Sequence, residues 1–549
     1  MDKFSLTQAL NELNNGEISK GKAILNALTA DPTTAEQALI LLFKVSMREK
    51  NSNEAKLINE RLVSIAPSKF DYVNTLVHLY LSSGDTETAI SKLTAFISQN
   101  PKHAHAHFLL GSLARKLGNG LLAKQHLLSA QENQFPDIYL VKLEIALVYS
   151  DLLNDHQSAI YCLEEAIKIR KNNVNAYFNL ANIYEQMGNK SKSLELFQQV
   201  LVINPKHGLA HARLADIATF TPASALEYEQ ESLEIIKQEK DNSIVADLYY
   251  ALGKIFNDIA DYKKAWEYYF SANRVNRSYI PKYNKNEVEK LTKLTLERRE
   301  KPVTSSENSE LTPIIICGMF RSGSTLIEQI LAASDYISAG GEIDYIHKTL
   351  FNLIANPIEL ENTANTREFK DGYKRELALR ANNREFVTDK RPENYLYIDQ
   401  IKSIYPNAKI IWTERDIRDN SLSAYFQHLG PSLNYATNLS DTLHYYTAQQ
   451  KVKSHWLKKY TNDIFTVNYD ELVLNPEKAL KPLFYFLGIE YKDESSIFHE
   501  KRNIVSTASV WQVRKPLYTS SSGRYKNFSQ YIEQSISSEE FDEFSNFTR

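Results

Sequence analysis

The chain is expected to be a multidomain protein: an all-α solenoid of stacked helix pairs, then a three-layer α/β domain with a mostly parallel sheet. Three observations predict this. Small residues recur at one fixed step through the first half of the sequence. Apolar runs typical of buried strands alternate with helical segments in the second half. The polar stretch TSSENSELTP separates the two.

The step is 34 residues: Gly84 and Gly118, Ala89 and Ala123, and Pro67 and Pro101 all stand that far apart. Residues 174–205, VNAYFNLANIYEQMGNKSKSLELFQQVLVINP, show why the step is structural. Ala181 is small in the first helix and Gly188 ends it. Ser193 is small where the second helix must approach the first, and Pro205 stops the second helix because its ring clashes with the preceding turn. This pattern resembles the tetratricopeptide repeat (TPR). Comparable units fall at 70–101, 104–135, 138–173 and 246–275, the last with Gly253, Ala265 and Ala272 at matching offsets. The stretches 3–33, 34–67 and 207–240 carry weaker markers, and TFTPAS (219–224) interrupts the array. A helix pair cannot bury its apolar face alone, so pairs stack into a superhelix with a concave groove, a common site for peptide or for another domain. The plainer alternative is a spacer. Tyr177, Phe178 and Tyr184, at helical spacing, read as repeat core.

The expected boundaries are 1–275 for the repeat solenoid, 276–311 for a linker of charged helix and polar run, and 312–549 for the α/β domain. In that domain PIIICGMF, EFVTDK, AKIIWTER and DIFTVNYDEL read as strands, and STLIEQILAAS, NYLYIDQIKSIYP and NSLSAYFQHL as the helices between them.

Composition narrows the function. The 64 Lys and Arg nearly cancel the 67 Asp and Glu, which gives no reason to expect nucleic acid as a partner; any anion site must be local. The amino-terminal segment lacks the apolar core of a secretion signal, and no stretch reaches the length of a membrane span, so a cytoplasmic location is expected. Cys162 and Cys317, far apart and inside apolar runs, read as reduced packing residues. The 13 histidines lack the spacing that puts two imidazoles on one helix face, and no metal is expected.

The chemistry is expected at PIIICGMFRSGSTLIEQIL, where a buried strand runs into Gly318, a loop, Gly323, and a helix opened by Ser324 and Thr325. Free N–H groups and the dipole at a helix start favour a phosphate or sulfate, and glycines let backbone approach it. The spacing nearly fits the nucleotide-triphosphatase loop, but Ser324 stands where that loop needs lysine, and the cation has moved to Arg321. This disfavours a kinase. The loop residues Arg321, Ser322, Gly323, Ser324, Thr325 and Leu326 resemble the first loop of sulfotransferases that use 3′-phosphoadenosine-5′-phosphosulfate (PAPS). FRSGSTLIEQIL looks most like the protein-tyrosine sulfotransferase branch and its bacterial repeat-fused relatives.

The resemblance continues through IIWTERDIRDNSLSAYF, where Arg415 and Ser423 stand in the relation that holds the 3′-phosphate in that family. A strand end can deliver a guanidinium, and a helix start a hydroxyl, to one anion. Arg418 and Asp419 complete the family-like run and read as structural support. AGGEIDYI places Glu342 where tyrosine-sulfating members carry the catalytic carboxylate, and TDKRPENYLYI places Lys390 at the family's strand-end lysine. Tyr469 matches the adenine-side tyrosine. Ser506, Ser509, Arg514 and Lys515 fall near the cofactor-closing loop, with Ser509 and Lys515 favoured. What the resemblance implies is a P-loop-like sulfotransferase domain with PAPS as donor, Glu342 as base, and Arg321 and Lys390 as catalytic cations. The expected acceptor is a peptide or protein tyrosine presented with help of the repeat groove. Sulfation of a saccharide or small phenol is the alternative, as is a catalytically inactive repeat adaptor.

Overall fold

The computed structural model describes residues 5–298, 311–492, 498 and 510–537. The chain forms two compact units, Met1–Leu180 and Ala181–Arg549.

In the first unit helices pair in sequence: Leu6–Asn14 with Ile18–Leu28, Ala35–Arg48 with Ser52–Ile65, Phe70–Ser82 with Thr86–Gln99, Ala104–Lys116 with Gly120–Glu132, and Ile138–Leu147 with His156–Ile169. The weakly marked stretches 3–33 and 34–67 therefore fold as pairs like the rest. The sequence step has a backbone cause. Gly16, Gly84 and Gly118 take φ of 85°, 80° and 84° to end the first helix of a pair, and Lys50 takes the same place at φ 58°. A residue without Cβ occupies this left-handed region freely, whereas lysine pays a steric cost, which is why the marker fades in sequence while the turn persists. The next turn of this kind is Asn154, at φ 53°. It falls 36 residues after Gly118 because a π-helical stretch, Val148–Leu152, lengthens the first helix of that pair. Opposite these turns Ala55, Ala89, Ala123 and Ala159 are fully buried where the paired helices touch.

The second unit opens with the end of helix Val174–Gln186 and continues through Lys190–Ile203, Gly208–Ile217, Pro222–Gln238, Asn242–Asp258 and Tyr262–Asn276. TFTPAS, an interruption in sequence, is the start of a helix. Thr221 Oγ1 accepts from Ser224 N at 3.2 Å, Ser224 Oγ accepts from Thr221 N at 3.0 Å, and Pro222 sits at the first helical position. The charged helix Lys285–Leu296 packs Leu291 on the α/β core and buries Thr295.

Five parallel strands, β1 (Thr312–Gly318), β2 (Ile337–Ser338), β3 (Phe386–Lys390), β4 (Lys409–Glu414) and β5 (Ile464–Asn468), form one sheet in the order β2-β3-β1-β4-β5. The central strand β1 pairs Ile316 with Lys390 of β3 and Gly318 with Thr413 of β4, so those strand ends come out along one edge. Its side chains alternate: Ile315 and Cys317 join a core with Tyr373, Tyr397 and Trp456, and Ile314 and Ile316 one with Ile330, Leu480 and Phe484. Helices thus cover both faces, as expected for three layers.

A third core joins repeat and α/β elements. Tyr250, Trp266 and Tyr269 pack with Tyr425, Phe426 and Phe528, the rings of Tyr269 and Phe426 stacking at 4.0 Å. The buried Asn273 side chain donates to Tyr425 O at 2.8 Å and accepts from Tyr250 Oη at 2.8 Å. No helix of the described residues is long and apolar enough to cross a membrane.

Candidate active site

The loop after β1 is shaped by its glycines. Gly318, at φ 142°, lies so close to β4 that a Cβ would stand 2.4 Å from Thr413 O. Gly323, at φ 98°, lies against the Tyr469 ring, 2.6 Å from where its Cβ would be. Between them Ser322 turns inward: its Oγ donates to Met319 O at 2.6 Å and lies 2.6 Å from Thr413 Oγ1. Ser322 therefore holds the loop's shape. Arg321 is forced to φ 69°, which swings its side chain out over the cleft.

At the cleft Arg321 Nε donates to Ser423 Oγ at 3.2 Å and Arg321 Nη2 to Gln512 Oε1 at 2.9 Å. Desolvation, and then the nearby Arg415 charge, pull its pKa down to about 10. Two guanidiniums that repel one another in a partly closed cleft make a local positive field in a chain of nearly balanced charge. Arg415 follows β4, lies 4.7 Å from the Tyr469 ring centre, and donates through Nη2 to Ser521 O at 2.5 Å. Its Nε is buried without a hydrogen-bond partner among the described residues. Burial raises the Tyr469 pKa against the opposing pull of Arg415.

Helix Ser324–Ala332 starts at this cleft with no side chain capping its first turn. Ser324, Thr325 and Leu326 line the cleft, as do Ser423 and Lys515. Ser509 lies outside the described residues, as does Ser506. The cleft encloses about 850 Å³, including the solvent at its mouth.

Glu342 lines the same cleft, and Lys390 Nζ donates to Glu342 Oε1 at 2.5 Å. The ammonium is buried while the carboxylate stays partly open to solvent. Two residues that the sequence reading passed over set this geometry. Glu328, buried on helix Ser324–Ala332, accepts from Gly341 N at 3.0 Å and from Thr388 Oγ1 at 2.7 Å; Thr388 Oγ1 also accepts from Gly340 N at 2.9 Å. Burial pushes the Glu328 pKa up, and the Lys390 charge opposes it. The signal was present: an acid inside the apolar run TLIEQIL has to find buried donors.

Arg418 pairs with Asp416 and lies 4.0 Å from the Tyr525 ring centre. Asp419 accepts from Gly523 N at 2.5 Å and from Tyr525 N at 2.7 Å, which ties the carboxy-terminal segment to the helix bearing Ser423. Both act as supports.

Comparison with known proteins follows the same division. Residues 313–493 match the model of the sulfotransferase family. Residues 74–134, 152–188 and 174–207 match models of the tetratricopeptide repeat. An uncharacterized protein of Aquifex aeolicus (strain VF5) is 25% identical over 423 residues, covering 73% of this chain and 54% of that protein. The chain thus spans about half the length of this curated relative. Among solved structures, the sulfotransferase domain of the Synechococcus PCC 7002 olefin synthase is 18% identical, covering 41% of this chain and 91% of that one, with a TM-score of 0.31. A tetratricopeptide repeat protein from Parabacteroides merdae is 16% identical, covering 46% and 96%, with a TM-score of 0.34. The chain thus carries tetratricopeptide repeats followed by a domain that matches the sulfotransferase family.

Proposed function

We propose that the cleft takes PAPS as donor and transfers its sulfuryl group to an acceptor hydroxyl, with a tyrosine of a peptide or protein as acceptor. One observation carries the donor reading: Arg321 and Arg415, from two neighbouring strand ends, meet over the uncapped start of helix Ser324–Ala332. The buried Arg415 Nε, without a hydrogen-bond partner among the described residues, fits an anionic group with several acceptor oxygens. When bound, the donor supplies an activated sulfuryl group on a phosphate leaving oxygen.

In this reading Arg415, Ser423 and the aromatic face of Tyr469 hold the nucleotide end, with Lys515 beside them. Arg321 and the N–H groups of Ser324 and Thr325 neutralise charge as it develops on the leaving oxygen. Glu342 takes the acceptor proton. Its ion pair with buried Lys390 fixes the carboxylate in place. The cytoplasm is the expected compartment, and the repeats are expected to help select a polypeptide acceptor, since stacked helix pairs of this kind offer extended binding surfaces.

The test is label transfer from radiolabelled PAPS by the full-length chain to a tyrosine peptide and to a small phenol. Transfer to the peptide is expected. Glu342→Gln is expected to bind adenosine 3′,5′-bisphosphate like the unaltered chain and to lose about 10²–10⁴ in turnover. No transfer to any hydroxyl overturns the reaction; full turnover by Glu342→Gln moves the base elsewhere.

A further inference from the structure

The donor cleft is walled on one side by the segment Val510–Tyr518, and that segment has two faces. Gln512, Val513, Lys515 and Tyr518 line the cleft, and Gln512 Oε1 accepts from Arg321. Trp511 and Arg514 face away from it, toward a repeat. Trp511 Nε1 donates to Glu185 Oε1 at 2.7 Å, and Arg514 Nη2 donates to Gln186 O. The Arg514 guanidinium lies so close to Gly188, at φ 78°, that a Cβ there would stand 2.6 Å from its central carbon.

From these contacts we propose that the repeat turn Glu185–Gly188 is a positioning element of the donor site, holding the segment Val510–Tyr518 in place over Arg321. The inference rests on the donor reading above. Glu185 is nearly fully buried, and a buried carboxylate is costly without partners. Among the described residues its side chain accepts from the Trp511 N–H and lies 3.7 Å from Arg213 Nε. Asp216, on the same helix as Arg213, is near enough to Arg321 for the two charges to influence one another. Gly188 serves both as the left-handed residue that ends a repeat helix and as the gap that admits Arg514.

The test titrates adenosine 3′,5′-bisphosphate into the full-length chain and its variants. Glu185→Ala and Trp511→Phe are each expected to weaken binding about tenfold, as loss of a hydrogen bond to a buried charge would. The double variant is expected to be no weaker than either single one, because both remove one contact. Glu185→Gln keeps an acceptor for the Trp511 N–H and is expected to retain affinity within about twofold. Hydrogen exchange of residues 511–518 is expected to speed up in Glu185→Ala while β1 stays protected. Should Glu185→Ala fail to fold, Trp511→Phe reads the same contact from the other side. Unchanged affinity in a folded Trp511→Phe, with binding by the unaltered chain, overturns the positioning role alone. No binding by the unaltered chain overturns the donor reading, and this inference with it.

Discussion

Arg321 stands in the left-handed backbone region, where a residue with a Cβ costs about 1–2 kcal/mol, at the centre of the anion loop. Its guanidinium reaches Ser423 and Gln512 at the cleft where the proposed donor would lie. Arg321→Ala and Arg415→Ala are therefore each expected to weaken adenosine 3′,5′-bisphosphate binding by about 1.5–3 kcal/mol, or tenfold and more, read by calorimetry. A second residue gives a pH signature. Burial raises Asp389 to about 6, although the Tyr373 hydroxyl donates to it at 2.7 Å. The folded state holds this proton more tightly than the unfolded chain, whose carboxyl titrates near 4. Asp389 therefore lowers stability as pH rises from about 4 to 6, and the full cost is present above 6. Asp389→Asn removes that cost and is expected to raise the melting temperature at pH 7.5, with the gap closing as the pH is brought below 5. A gap that widens on acidification would contradict the assignment.

Among the elements, the repeats at 138–173 and 246–275 were legible without a glycine turn, and 3–33 read weakly despite Gly16. Small packed residues thus carried the signal more than the turn, which residues other than glycine can fill. Lys50 and Ala260 do so at φ 58° and 62°. Substituting glycine at either site is expected to stabilise the protein by about 0.5–1 kcal/mol, the left-handed cost less the extra unfolded-state entropy, measured as a shift in denaturation midpoint. The 36-residue step could not be foreseen, because no residue type announces a π-helical turn. In the α/β domain the strands were legible as apolar runs, apart from two-residue β2, too short to show a pattern. The residues that line the candidate cleft were picked out by their loop motifs. Of the supports, Glu328 was signalled as an acid inside an apolar run, whereas Thr388 was not, since what identifies it is contact with Gly340, far off in sequence.

At the scale of the molecule, the change of composition near residue 300 marks where one fold type gives way to another, whereas packing groups the later repeats with the α/β domain. The apolar core shared by Tyr250, Trp266, Tyr269, Tyr425, Phe426 and Phe528 has a direct consequence. A chain begun at Leu311 leaves that core half open and is expected to aggregate. One begun at Asn173, ahead of the helix that enters the second unit, is expected to fold and bind nucleotide. Expression and gel filtration of the two separate these outcomes.

In the proposed function Arg321 and Arg415 build one metal-independent site for a 3′-phosphorylated adenine nucleotide. Calorimetric titration of adenosine 3′,5′-bisphosphate into the full-length chain, with chelator present, tests it most directly. Saturable binding by the unaltered chain and a loss of about tenfold or more in Arg415→Ala are expected. Absence of binding with chelator, together with magnesium-dependent binding of ATP, would contradict the proposal.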